Sequence, residues 1–338
     1  VLTFSLKNTI YSIGGISPIK EICRRWNCLA GILCYHSVLP DNELINFEGP
    51  YTTLSIKEEL FDEHIYSISK NETVVSMDEM YEHLVSSSQA FVVAITFDDG
   101  YKDNLTYALP ILEKYNIPAT IYITTAFPEG NTWIWWFELW DYIRDQNHVS
   151  LNYNNEHHEW KTSKSKKKYK CFNDLNLLFT SLNKEKQQNI LEILTQTSKR
   201  KMYPELCLDW NEIKILDKSP LVTIGAHTHS HQNLSLLTKK EVSLEMVTSK
   251  QILEKELNHQ IDHLAYPYGT LNEAKIREYD LAKEHGFKTS VTTIPNSNQA
   301  IAMNAIPRLG IPYNLNALGL QGKLSGWEYF LRKINNSI

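Results

Sequence analysis

The 338-residue chain carries 34 Lys and Arg against 39 Asp and Glu, a net charge of −5, with 42% hydrophobic and 22% charged residues. This is the composition of an ordinary globular protein, enough for one large domain or two small ones, and the absence of a basic excess argues against nucleic acid as a partner. Five cysteines (Cys23, Cys28, Cys34, Cys171, Cys207) contain no paired CxxC spacing, which speaks against a disulfide framework or a cysteine zinc site and favours a reducing compartment.

In chain order, residues 1–30 read as an N-terminal extension. They show no basic segment followed by a long apolar core, so a signal peptide is not expected, although a start at Val1 leaves trimming at that end open. Apolar, β-rich runs then predict strands at 31–35, 91–97, 119–124, 221–226, 263–266, 288–292 and 306–311. Helical periodicity lies between them. Residues 101–115 put Leu105, Ala108, Leu109 and Leu112 on one face, 239–257 repeat Val242, Met246, Ile252, Leu253 and Leu257, and 271–285 end at Gly286. Strand alternating with helix predicts a parallel α/β fold, and about seven units suit a barrel better than a Rossmann sheet. No GxGxxG follows a strand.

Residues 127–206 break this rhythm and read as an insertion that divides the barrel into 31–126 and 207–325. The insertion opens on Trp133, Trp135, Trp136, Phe137 and Trp140, either a local core or a platform for stacking sugars. Its apolar stretch at 133–143 is too short and too charged to span a bilayer. Lys161, Lys164, Lys166, Lys167, Lys168 and Lys170 follow, and read as a solvated loop or a contact with an anionic or membrane surface.

Polar clusters stand at the predicted C-terminal strand ends, where parallel α/β folds build their sites. Asp98 and Asp99 lie side by side before Gly100; alone, this is an ordinary turn. "HTHSH" places His227 and His231 four apart, facing one way if helical, with His229 directed elsewhere as a supporting or surface residue. Two imidazoles and one carboxylate make a metal-ligand set with open positions. A cation held by Asp99, His227 and His231 would offset the repulsion between the acids and leave Asp98 as a general base. Later, "LAYPYG" offers the Tyr268 N–H to a developing oxyanion, with Pro267 shaping the backbone. Asp209 is a candidate N-cap, and Trp210 packs in the core or beside the site.

"TFDDG", "HTHSH" and "YPYG", in this order, resemble the polysaccharide deacetylase family with its NodB homology domain, over about residues 30–312 apart from the insertion. The resemblance implies a distorted (β/α)7 barrel that removes N- or O-acetyl groups from carbohydrates. It also implies one divalent ion, zinc foremost with Co2+, Ni2+ or Mn2+ as alternatives, on Asp99, His227 and His231, with Asp98 as base. Tyr266, Pro267, Tyr268 and Trp210 become candidate substrate contacts. The family's third motif commonly begins with Arg; Ala265 stands there, and Arg308 is the candidate replacement. The family's C-terminal Leu-x-His is missing, while His36 ends the first predicted strand, as in a subgroup that includes exopolysaccharide deacetylases. His36 is therefore the expected general acid, with a structural role as the alternative. The function implied is de-N-acetylation in bacterial capsule, O-antigen or exopolysaccharide assembly, cytoplasmic or at the membrane surface, on an N-acetylated saccharide or lipid-linked sugar. A non-sugar amide hydrolase (ureide or cyclic imide) and a non-catalytic carbohydrate-binding barrel are the alternatives.

Overall fold

Seven short strands pair in parallel: β1 (Ala30–Tyr35), β2 (Val92–Phe97), β3 (Ala119–Ile123), β4 (Val222–Ala226), β5 (His263–Ala265), β6 (Thr289–Val291) and β7 (Leu309–Gly310). The computed structural model describes residues 4–27, 30–44, 51–86, 88, 90–294 and 302–327; Cys28 lies outside them. The order is β6-β5-β4-β3-β2-β1-β7, with an eighth two-residue strand, Thr73–Val74, paired in parallel to β2 off this path. β7 pairs with β1, and Ile306 just before it bridges to Val291 of β6, so the sheet curls back on itself as a distorted (β/α)7 barrel.

The two-residue period of a strand sorts side chains between two cores. Ala30, Ile32, Val92, Ala94, Tyr122, Ala265, Val291 and Ile306 form the cluster inside, joined by Met77 and Met80. The intervening Leu33, Tyr35, Val93, Ile95 and Phe97 pack with the surrounding helices, on Phe61, Ile65, Leu112, Leu216, Met246 and Leu253. Continued past Ile95 and Phe97, the alternation turns Thr96 and Asp98 inward.

Helix limits differ from expectation where chemistry intervenes. The 101–115 pattern divides into a π-helical turn, Asn104–Ala108, and a helix, Leu109–Tyr115, with Pro110 at its start. Pro110 has no N–H to donate, and its ring clashes with a regular preceding turn, so the chain changes hydrogen-bond register there. The 271–285 pattern starts only at Ile276, because residues 270–274 close as a turn through Glu273 and Ala274 N–H on Thr270 O. The lysine run is not a loop. It spans the end of the strand Glu156–Lys161 and the first turns of the helix Ser165–Thr180, and Lys168 Nζ donates to Ile143 O and Gln146 O at the end of the helix Trp135–Asp145. A lysine there satisfies carbonyls that the helix leaves unpaired.

Residues 127–206 follow β3 as the helix Trp135–Asp145, a hairpin of His148–Tyr153 with Glu156–Lys161, and the helices Ser165–Thr180 and Lys184–Thr195. Their aromatics make a separate core: Trp135, Trp136, Phe137, Trp140, Phe172 and Phe179 pack with Leu175 and Leu191. Near the N-terminus, the helix Phe4–Gly14 lies so tightly on Ala317–Leu324 that a Cβ on Gly322 would sit 1.7 Å from Tyr11 O. Lys20 reaches Glu72 at 2.8 Å and Gln321 at 2.6 Å. No helix among the described residues is long and apolar enough to cross a membrane.

Candidate active site

Two adjacent acids can point into one mouth only if the backbone breaks the alternation between them. Asp98 extends β2, its N–H donated to Tyr35 O at 3.1 Å. Asp99 then adopts φ 74, and Gly100 φ 75. The left-handed region returns the second carboxylate to the same side as the first, and glycine follows without steric cost. Thr228 (φ 62), His231 (φ 53) and Tyr268 (φ 60) are also left-handed. Each such residue costs about 1–3 kcal/mol, and this strain collects where side chains must converge.

The histidine pair does not lie on a helix, as its spacing suggested. Residues 227–233 are irregular chain after β4, and the two positive-φ residues bend it until both imidazoles meet Asp99. Asp99 Oδ1 is 3.1 Å from His231 Nε2 and 3.3 Å from His227 Nε2, close ionic contacts without hydrogen-bond geometry, so this buried oxygen has no hydrogen-bond partner among the described residues. His227 Nδ1 lies 2.8 Å from Ala265 O, which can only accept, so Nδ1 carries a hydrogen and Nε2 is the nitrogen turned toward Asp99. The three candidate donor atoms lie within 4.8 Å of one another. An N2O set of this kind, with an orphaned carboxylate oxygen at its centre, fits a divalent ion of the zinc type. Glu245 fastens the loop between the imidazoles, accepting from the N–H of His229 and Ser230 at 3.0 and 2.8 Å. His229 turns away, with Nδ1 on Thr125 Oγ1 at 3.0 Å.

Asp98 has a different partner. Arg308 Nη1 and Nη2 each reach one of its oxygens at 2.6 Å, a bidentate pair in which Arg308 is 1% exposed. Arg308 also donates to Thr96 Oγ1 and Thr292 O. Burial works to raise the Asp98 carboxyl, but the Arg308 guanidinium outweighs it and holds Asp98 below the usual carboxylate range. Burial likewise opposes ionisation of Asp99, and the His231 charge carries it well below that range. Cys34, His36 and Asp98 form a second close group, but burial pushes the Cys34 thiol up and Arg308 already occupies both Asp98 oxygens, so this group does not suit a cation.

These groups open into a cleft of about 250 Å3 lined by His36, Asp98, Asp99, His227, His231 and Tyr268, and by Trp135, Trp136 and Phe172 from the insertion. Burial lowers the His36 pKa from its ordinary value, with Asp99 and Asp98 opposing in part. Three expected substrate contacts lie elsewhere. Tyr266 is fully buried, its hydroxyl on Asn304 O at 2.8 Å; Pro267 is buried in the turn beneath; Trp210 packs against the main core, one residue after the Asp209 cap. The Tyr266 and Pro267 side chains serve packing because inward and outward alternation continues through β5 into the YPYG turn, and Trp210 does so as the first residue of the helix Trp210–Asp217 on the main core. Tyr268 does reach the cleft, its ring centroid 5.0 Å from that of His231 and its hydroxyl accepting from Trp135 Nε1 at 3.2 Å. His157 and His158 sit on the hairpin, outside the cleft. Trp135 and Trp136 pack in the insertion core and also line the cleft.

A bracket not anticipated from sequence holds the chain beside His36. Asp103 accepts from Ser37 Oγ at 2.6 Å, Val38 N at 3.0 Å and Asn104 Nδ2 at 2.9 Å, and Asn104 Nδ2 also donates to His36 O at 2.8 Å. The "DN" of "FDDGYKDN" was its only trace in the sequence. Burial pushes Asp103 up to about 7, against the three donated hydrogen bonds. A carboxyl raised in the folded state binds more protons there than in the unfolded chain, so it makes stability fall as pH rises from about 4 through about 7. Asp103→Asn is therefore expected to flatten that part of the profile: comparing urea midpoints at pH 5 and pH 7.5, the parent should lose more stability than the variant. Equal losses would show that Asp103 titrates normally.

A family model described as polysaccharide deacetylase matches residues 86–290. The Bacillus subtilis (strain 168) protein YxkH, named provisionally as a polysaccharide deacetylase, is 22% identical over 205 residues, 61% of this chain and 46% of that protein; the chain thus spans about half the length of this curated relative. Among solved structures, the Streptococcus pyogenes deacetylase PplD in complex with acetate superposes with a TM-score of 0.57 at 19% identity, covering 87% of this chain and 97% of that one. A de-N-acetylase from Aggregatibacter actinomycetemcomitans gives 0.54 at 16% identity, covering 84% and 95%. IcaB from Ammonifex degensii gives 0.54 at 16%, covering 88% and 97%. At these identities the structural likeness establishes the fold.

Proposed function

Because the chain belongs to the polysaccharide deacetylase family, we propose that it is a metal-dependent hydrolase removing N-acetyl groups from a carbohydrate, with residues 31–126 and 207–325 as the catalytic barrel and 127–206 as an insertion that walls its cleft. The observation that carries this reading is the juxtaposition of two differently held acids: Asp99 with the two imidazoles, and Asp98 clamped by Arg308. Asp99, His227 and His231 would hold the ion, which when bound supplies Lewis-acid polarisation of the acyl group and of water. Zinc suits two imidazoles and a carboxylate; cobalt, nickel and manganese are the alternatives.

The chain's own groups divide the remaining work. Arg308 keeps Asp98 ionised and fixes its plane, so that its unshared lone pairs can take a proton from the attacking water. The Tyr268 N–H, with no hydrogen-bond partner among the described residues, can donate to the oxyanion that develops on the acyl carbon. His36 delivers a proton to the leaving amine. Trp135, Trp136 and Tyr268 exclude water around these groups. The products are acetate and a free amino sugar. The surface setting and biosynthetic role that suit this chemistry are capsule, O-antigen or exopolysaccharide assembly, at the membrane surface or in the cytoplasm.

The test is acetate release from a panel of N-acetylated glycans and lipid-linked sugars, with and without a chelator. Release that is lost with chelator and restored by zinc supports the reading; a chelator-insensitive enzyme, or one releasing acetate from no glycan, overturns it. His227→Ala should also lower bound zinc from about one per chain to near none, measured by elemental analysis.

A further inference from the structure

The insertion contributes more than apolar walls to the cleft. Its helix Ser165–Thr180 presents Phe172, Asn173, Asn176 and Thr180 toward the same space as His36, Asp98 and Asp99. Offsets of three, four and seven place Asn173, Asn176 and Thr180 on one helical stripe. Neither asparagine amide makes a hydrogen bond to another described residue, although each has two donors and an acceptor of two lone pairs to offer. Beside them lie the Trp135, Phe172 and Tyr268 rings.

Charge narrows the ligand further. The described residues lining the cleft include no Lys or Arg, and Arg308 beneath it is fully engaged by Asp98. A carboxylate, phosphate or diphosphate within the cleft would meet no guanidinium or ammonium to bind it, and the ion proposed on Asp99, His227 and His231 would have its open positions taken by the acyl group and water. The volume of about 250 Å3 is below the roughly 300–1,000 Å3 of pockets that enclose drug-sized ligands, which suits a single sugar ring held at a groove.

We infer that Asn173 and Asn176 bind the hydroxyl groups of a neutral N-acetylated sugar unit, and that the enzyme acts on a neutral glycan rather than on a uronate-bearing or diphosphate-linked sugar. The inference rests on the carbohydrate reading above. An amide offers a donor and an acceptor side by side, matching a pair of neighbouring hydroxyls, while the aromatic rings cover the apolar C–H face of the ring. Anionic substituents would have to lie outside the cleft. The two asparagines are specificity residues: they position the sugar and take no part in bond breaking.

The experiment compares Asn173→Ala/Asn176→Ala with the parent on two substrates: the glycan turned over best in the acetate-release panel, and 4-nitrophenyl acetate, which has no sugar to grip. Losing two or more neutral hydrogen bonds should lower kcat/KM on the glycan about 10- to 100-fold, mostly through KM, and leave the ester rate within about twofold. Asn173→Gln/Asn176→Gln should recover part of the loss. An equal loss on both substrates, or no loss on either, overturns the inference. UDP-N-acetylglucosamine and an acidic N-acetylated oligosaccharide form the second arm: either being turned over faster than every neutral glycan overturns the charge assignment. A parent that hydrolyses the ester but no glycan overturns the carbohydrate reading itself, and the assignment of the asparagines with it.

Discussion

Asp98→Asn is expected to abolish deacetylation, lower thermodynamic stability and leave metal binding intact. Activity should fall by at least the 10²–10⁴-fold that general-base catalysis typically contributes. The stability loss follows from Arg308, which is 1% exposed and directs both terminal nitrogens at the Asp98 carboxylate. An asparagine offers one acceptor oxygen and turns an N–H toward the second nitrogen, leaving a buried guanidinium uncompensated. Breaking a buried pair from one side costs about 3–5 kcal/mol. Asp98→Asn with Arg308→Met removes both charges and should recover much of the stability, because a buried pair replaced by apolar volume is often close to neutral. Activity should not return. Asp99→Asn must behave oppositely, losing zinc first, since Asp99 Oδ1 faces two imidazole nitrogens and Arg308 does not touch it. The measurements are urea midpoints, bound zinc and acetate release on the same four proteins. Equal zinc loss in the Asp98 and Asp99 variants would show that the roles of the two acids have been misassigned, and a double variant no more stable than Asp98→Asn would show that the Arg308 charge is not the source of the instability.

The sequence reveals these residues unevenly, for physical reasons. Strands buried on both faces read as continuous apolar runs, so β1 to β4 could be located within a residue or two of their observed limits. The acids and imidazoles that follow them stand out because charge and imidazole are rare directly after such runs. Arg308 is harder to place: its partner is 210 residues away in the chain, and only the missing arginine at Ala265 drew attention to it. The four left-handed residues have no local signature, since Asp, Thr, His and Tyr are not turn-forming glycines. Spacing alone therefore suggested a helix at 227–231 where the chain in fact bends. Glu245, Asp103 and Asn104 act through backbone groups of distant loops, which no periodicity encodes. Asn173 and Asn176 have helical spacing, but so do many solvent-facing amides, and only the packing of the insertion against the barrel turns them toward the cleft.

His36→Ala should preserve fold and zinc content yet lower kcat by about 10²–10⁴-fold. The imidazole follows β1 and lines the cleft beside Asp98 and Asp99, while the Asp103–Asn104 bracket grips the backbone at His36 O and Val38 N. Removing the ring leaves that bracket in place, so a loss of rate without a loss of stability is the expected pattern. The pH profile supplies the independent readout. Burial lowers the His36 pKa, and a cation on Asp99, His227 and His231 would act in the same direction. The acid form works only while protonated, so parent kcat/KM should fall as pH rises through a pKa below the ordinary imidazole value. Asp98, held low by Arg308, bounds the acidic side. The variant should lose the alkaline limb and keep the acidic one. It should also lose little on 4-nitrophenyl acetate, whose leaving group departs without a proton, whereas an amine must be protonated to leave. An ordinary N-acetyl sugar turned over at near-parent rate would exclude His36 as the acid. The proton would then have to come from water or be returned by Asp98, since His157 and His158 lie outside the cleft on the insertion hairpin.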